Sequence, residues 1–243
     1  MLKLIFNIHL WEQYIRNQFI KQIELLYESI QNRLIPTFDN IEKEAEQISD
    51  EKWDSLCSSS HSPDIDPADL AERAREAGID HYEMLSSIKQ TLLNITAITL
   101  YHLFEQQIIF LLRRDVLHPS QENDPQLMKI SVFRERLLKK GIDIYAFRSW
   151  DKVDELRVVS NSIKHGEGVS VTELRRKRPD MFKHPKLRNQ PGIKTVPCAT
   201  RPVYMPIAGD DIFVVQADIS EFKNALVDFW NELIVTCTNY EEN

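Results

Sequence analysis

Arg157, Asn161 and His165 form the set of polar side chains in this sequence best suited to catalysis. At 100° per residue they stack within an arc of about 80° on one side of a helix. Leu156, Val159 and Ile163 gather on roughly the opposite side, the one expected to face a core. Imidazole can take and give a proton near neutral pH, and a guanidinium can hold a phosphate through paired hydrogen bonds. A carboxamide between them can orient a phosphate oxygen or a ribose hydroxyl. Together they could cleave RNA without a metal: a base deprotonates the 2′-hydroxyl, which attacks the neighbouring phosphorus while Arg157 offsets the developing charge. The same spacing also describes a solvated helix face, and a histidine at a helix end is favoured by the backbone dipole alone.

Charge adds a second feature. The net charge is −7, yet 173–201 carries nine Lys/Arg against Glu173 and Asp180, so the rest of the chain sums to −14. With Lys164, the cluster Arg175, Arg176, Lys177 and Arg178 could bind RNA phosphates. The alternative is a loop that packs Leu174 and Phe182 and leaves its charges in water. His102 and Glu105 form an H-x-x-E pair, but no second ligand pair accompanies it, so a cleft wall or a buried pair is expected in place of a metal site. No phosphate-binding glycine loop, nucleophile elbow or H-E-x-x-H occurs, and no cofactor is expected.

The secondary structure carrying these groups reads as mainly α. A hydrophobic fraction of 42%, a charged fraction of 28% and only six glycines describe a globular, helix-rich chain. Cys57, Cys198 and Cys237 lie far apart with no C-x-x-C, which suits a reducing, cytoplasmic setting. The apolar opening is interrupted by Asn7 and His9 and reads as the start of a buried helix. The apolar run 92–112 contains His102, Glu105, Gln106 and Gln107, so it is expected in a core and not in a membrane.

Apolar steps of three and four over 11–54, divided at Pro36, predict two helices, and 58–67 reads as a linker. Two units follow: an N-terminal helical extension over 1–66 and a helical domain over 67–243. Within the second, a short helix capped by Asp66 should end at Gly78, and a long helix should run over 81–114. Helices over 125–140 and 149–165 should stop at Gly141 and Gly166. A basic loop over 169–201 with a short helix at 171–177 comes next, then a β-hairpin over 203–216 turning at 208–211, then a helix over 218–236.

The segment 155–166, ELRVVSNSIKHG, resembles the signature of the HEPN superfamily, in which Arg, a polar residue and a His lie at the end of a helix, often before Gly. The resemblance covers about residues 80–168 and implies a helical bundle in which 82–114 packs against the motif helix. It places Asn161 and His165 at the polar and His positions, while Ser160 stands where the family has Arg and Arg157 lies a turn earlier. It further implies a homodimer with a composite cleft, RNA as the partner, and a ribonuclease of toxin or antiphage type. His102 or Glu105 could then support His165 across the helix pair. Two other functions stay open: a non-catalytic HEPN-like module binding RNA or protein, and a structural subunit docking through the N-terminal helices.

Overall fold

The structure, a computed structural model, describes residues 8–59, 66–188 and 202–241. Cys198 and the prolines at 191 and 197 lie outside these, as does most of the apolar opening. Eight α-helices are described: α1 (Ile8–Tyr14), α2 (Lys21–Ser29), α3 (Ile41–Ser59), α4 (Pro67–Leu111), α5 (Ile130–Leu138), α6 (Trp150–His165), α7 (Val169–Lys177) and α8 (Gln216–Glu241). Wider π-type turns continue the backbone across Ile15–Ile20, Ile30–Leu34 and Leu112–Val116, and Pro36 falls in a 3-10 turn before α3.

One core joins the two ends of the chain. Ile15, Phe19 and Ile23, from the segment expected to be an extension, are buried in the same cluster as Leu100, Phe104, Phe229 and Trp230. Phe19 meets Trp230 at 4.9 Å between ring centroids, and Phe104 meets Phe229 edge-on at 4.9 Å. Ring pairs of this geometry add about 0.5–1.5 kcal/mol beyond their buried area. α4 runs through the middle of this cluster.

α4 is a single 45-residue helix, where the sequence suggests a stop at Gly78 and a restart at Asp80. Asp66 does cap it, its side chain accepting the Ala68 N–H at 2.9 Å, with Pro67 in the first turn. Gly78 is inside because α3 crosses there: a Cβ at that position would lie 2.7 Å from the Ala45 carbonyl oxygen. The glycine therefore permits close helix contact and ends nothing. α3 itself reaches Ser59, into the expected linker, with the Ser58 and Ser59 hydroxyls bonded back to the carbonyls of Asp54 and Ser55. The apolar stretch of α4 is long and apolar enough to cross a membrane, but half of that window is buried inside the protein.

The expected β-hairpin does not form, and no strand occurs among the described residues. Burial alternates over 211–215, where Ile212 and Val214 are buried, but not over 203–207, where Tyr204 and Met205 are both exposed after the buried Val203. The hydrogen bonds go elsewhere. The buried Asn94 amide donates to the carbonyls of Pro206 and Ile212 at 2.7 and 2.8 Å and accepts the Val214 N–H. Gln90 donates to the Val214 carbonyl, Ser87 donates to that of Ala208, and the Asp211 carboxylate accepts the N–H groups of Tyr204 and Met205. Side chains thus satisfy the backbone groups a ladder would have used.

Asn94→Leu should lower the unfolding free energy by about 2–4 kcal/mol, because it strands two carbonyls and an N–H that folding has buried. Urea denaturation of the wild type and the variant gives the number directly; a cost under about 0.5 kcal/mol would show that water replaces the amide there.

Candidate functional site

α6 places the three singled-out residues. Val153, Leu156, Val159 and Ile163 are buried, α6 packs against α4, α7 and α8, and the Glu232 carboxylate of α8 accepts the N–H groups of Arg148 and Ser149 at its start. At its end Gly166 takes φ +68°, and its N–H bonds to the Ser162 carbonyl, as expected for a glycine stop.

His165 and Lys164 are exposed and Asn161 is half-buried, and none of the three makes a hydrogen bond or an ion pair among the described residues. Arg157 differs. Its Nε donates to Asp154 at 2.7 Å, and Glu173 of α7 lies 3.7 Å from another of its nitrogens. Burial works to lower the Arg157 pKa, but the Asp154 hydrogen bond together with the charges of Asp154 and Glu173 outweighs it, so the guanidinium stays firmly charged. Ser160 is fully enclosed, and its hydroxyl has no hydrogen-bond partner among the described residues. The position that the resemblance reserves for Arg therefore faces the interior.

Arg157 lines a cavity of about 330 Å³ between α4, α5 and α6. Tyr101, Tyr145 and Trp150 supply its rings, Ile130 and Val153 its aliphatic wall, and Glu105, Ser131 and Asp154 its other polar groups. Tyr145 stacks on Trp150 at 4.2 Å and carries the Arg134 guanidinium 4.0 Å from its ring centroid. Glu105 pairs with His102 at 3.3 Å through one carboxylate oxygen. Of the H-x-x-E pair, then, Glu105 reaches the cavity, whereas neither His102 nor His165 lines it. Among the described residues no group of three or more His, Cys, Asp and Glu could hold a metal.

Sequence reasoning missed the aromatic part of this cavity. One signal was available, because Trp150 and Asp154 precede Arg157 and Asn161 by helical steps and extend the same stripe upstream. Tyr101 and Tyr145 arrive from other elements, and no spacing along the chain announces them.

The basic cluster is largely taken up by internal carboxylates. Arg178 bonds to Glu155, Asp180 and Asp218, Lys177 to Asp154 and Glu173, and Arg175 to Glu167. Arg176 is exposed and forms no ion pair among the described residues. The Arg178 hydrogen bond holds the Asp180 carboxyl below its ordinary 3.8. For Asp154, burial acts to raise the pKa, but the hydrogen bonds from Lys177 and Arg157 bring the balance below normal. No family model, curated protein or solved structure matches the chain.

Arg178→Met should cost about 2–4 kcal/mol, since it leaves the buried Asp218 carboxylate without a cation while Glu155 keeps Lys152 and Asp180 keeps Arg188, whereas Arg176→Met should change stability by less than about 0.5 kcal/mol. A carboxyl with a depressed folded-state pKa contributes stability above its unfolded pKa and loses it as pH falls through the folded value. Unfolding free energies measured below about pH 4 should therefore fall less steeply in Arg178→Met than in the wild type. Equal acid slopes would show that Arg178 does not set the Asp180 carboxyl.

Proposed function

We propose that the chain is a metal-independent, HEPN-type endoribonuclease that works as a homodimer in the cytoplasm, in the manner of a toxin or antiphage effector. One observation supports this above the others: the end of a core-packed helix presents an exposed, unbonded imidazole one turn from a half-buried carboxamide. In this reading the His165 imidazole takes the proton from a ribose 2′-hydroxyl, whose oxygen then attacks the adjacent phosphorus. The bond to the 5′-oxygen breaks, that oxygen is protonated, and the products are a 2′,3′-cyclic phosphate and a free 5′-hydroxyl. Asn161 orients the ribose or a phosphate oxygen, and Lys164 lies beside the imidazole to offset phosphate charge.

The dimer has support in apolar residues left in water: Ile88 and Ile95 on α4, and Tyr204, Met205 and Ile207 on the loop that Ser87 and Asn94 pin to it. A second reading, a non-catalytic module binding RNA or protein, is favoured by the enclosure of Ser160 and by the pairing of Arg157 with Asp154.

Incubating the purified protein with total RNA in excess EDTA separates the two. The enzyme should cleave, leaving cyclic phosphate ends, and His165→Ala should slow cleavage by a factor of about 100 or more. Cleavage that requires magnesium, or that survives His165→Ala, contradicts the ribonuclease. Salt-sensitive RNA binding without cleavage supports the module.

A further inference from the structure

The cavity beside Arg157 has unfinished hydrogen bonding. Tyr101 is 5% exposed overall and lines the space, and its hydroxyl makes no hydrogen bond among the described residues. Burial, reinforced by the Glu105 charge, pushes its pKa well above the ordinary phenol value, so it stays a neutral donor. A hydroxyl at a cavity wall with no protein partner is free to donate to whatever fills the cavity.

The other polar groups say what kind of occupant. Glu105 uses one carboxylate oxygen on His102 and leaves the second as an acceptor. Arg157 is anchored through Nε on Asp154, with one terminal nitrogen paired to Glu173 at 3.7 Å, which orients its guanidinium while leaving the other terminal nitrogen to donate. Asp154 itself is consumed, one oxygen by Arg157 and the other by Lys177. The lining thus offers one free anionic acceptor and one fixed cationic donor, beside the Tyr145 and Trp150 rings, which are stacked on each other, and the Ile130 and Val153 side chains.

A simple cation would suit the Trp150 ring and Glu105, but Arg157 repels it, and both faces of Tyr145 are already covered, by Arg134 and by Trp150. A simple anion would meet Glu105. A planar heterocycle with adjacent N–H donors on one edge and acceptors on the next satisfies both. Guanine has that pattern: N1–H and the N2 amino group can donate to a carboxylate, and O6 and N7 accept from a guanidinium. Adenine lacks the adjacent pair of donors. The volume lies at the small end of the range for ligand sites and suits one base better than a larger ligand.

We infer that the Tyr101–Glu105–Arg157 cavity is a guanine-binding pocket, which takes an unstacked guanine of single-stranded RNA with Glu105 on its N1–H edge and Arg157 on its O6/N7 edge. RNA as the source of the base rests on the ribonuclease reading; the pocket's chemistry does not. Unstacked bases bound against aromatic rings and read on their edges are the usual form of single-strand recognition.

The test is calorimetric titration of the full chain with guanosine 5′-monophosphate, and separately with the adenosine, cytidine and uridine monophosphates. The guanine nucleotide should bind with a Kd of about 1 mM or tighter and at least about 10-fold more tightly than adenosine monophosphate. Glu105→Gln, with its folding checked by thermal melting, should weaken guanosine monophosphate at least about 10-fold and reduce the preference over adenosine monophosphate. Tyr101→Phe, which keeps the ring, should weaken it by a factor of about 3–10. Equal binding of all four nucleotides, no binding of any, or unchanged affinity in Glu105→Gln overturns the assignment. So does a trimethyllysine peptide that binds while guanosine monophosphate does not. Guanine binding without cleavage in EDTA keeps the pocket and removes the ribonuclease; cleavage without guanine binding removes the pocket and keeps the ribonuclease.

Discussion

Two buried amides on α4 fix where most of the chain lies. Asn94 and Gln107 sit on a helix whose other buried side chains are mostly apolar, and each is at least 96% enclosed. An amide buried without partners costs about 1–3 kcal/mol, while each bond it makes returns only about 1. Their value is therefore geometric. Asn94 holds the loop before α8, and Gln107 accepts the Trp230 indole N–H of α8 at 3.0 Å while donating to the Phe19 carbonyl. The last helix and the first turns of the chain cannot move independently of α4 without stranding those groups. This is how 45 residues of mostly apolar helix specify a unique packing and not an undirected collapse.

With α4 and α8 set, α6 has a defined berth, and its two sides divide the work. The side bearing Asp154 and Glu155 draws α7 in through Lys177 and Arg178, so a run of cations that looks like a polyanion site becomes the cement between two helices. Partly buried pairs of this kind contribute little net energy but are expensive to break. They also quench the field that the sequence promises, leaving Arg176 and Lys164 as the cations open to solvent on these two helices. An RNA surface here would be narrower than the charge count implies.

What the sequence made legible follows from how local each signal is. Helical periodicity located the helices, and the stops at Gly141 and Gly166 carry positive φ, a property of the residue itself. Gly78 misled because its role depends on Ala45, more than thirty positions away. The hairpin misled because alternation reports which side chains are buried and is silent about who satisfies the backbone; Asn94, over a hundred positions earlier, supplies the partners. The basic segment misled for the same reason, since Glu155, Asp154 and Asp218 lie outside it in sequence and against it in space. For the site, the stripe on α6 was readable, while the cavity walls came from elements whose approach no spacing encodes.

The geometry of the stripe also decides what Arg157 can do. Eight residues separate it from His165, which is roughly 12 Å along the helix axis, far more than one phosphate spans. A guanidinium already anchored on Asp154 is held at its own end of the helix and is poorly placed to follow a phosphate at the other. The fully enclosed Ser160 closes the alternative position, since an arginine there would have to displace core side chains before reaching solvent. One helix would then carry two separate duties: substrate held at the Trp150–Arg157 end, and proton transfer at the Asn161–His165 end. Charge for the phosphate beside His165 would come from Lys164, or from the second copy of a dimer, and not from Arg157.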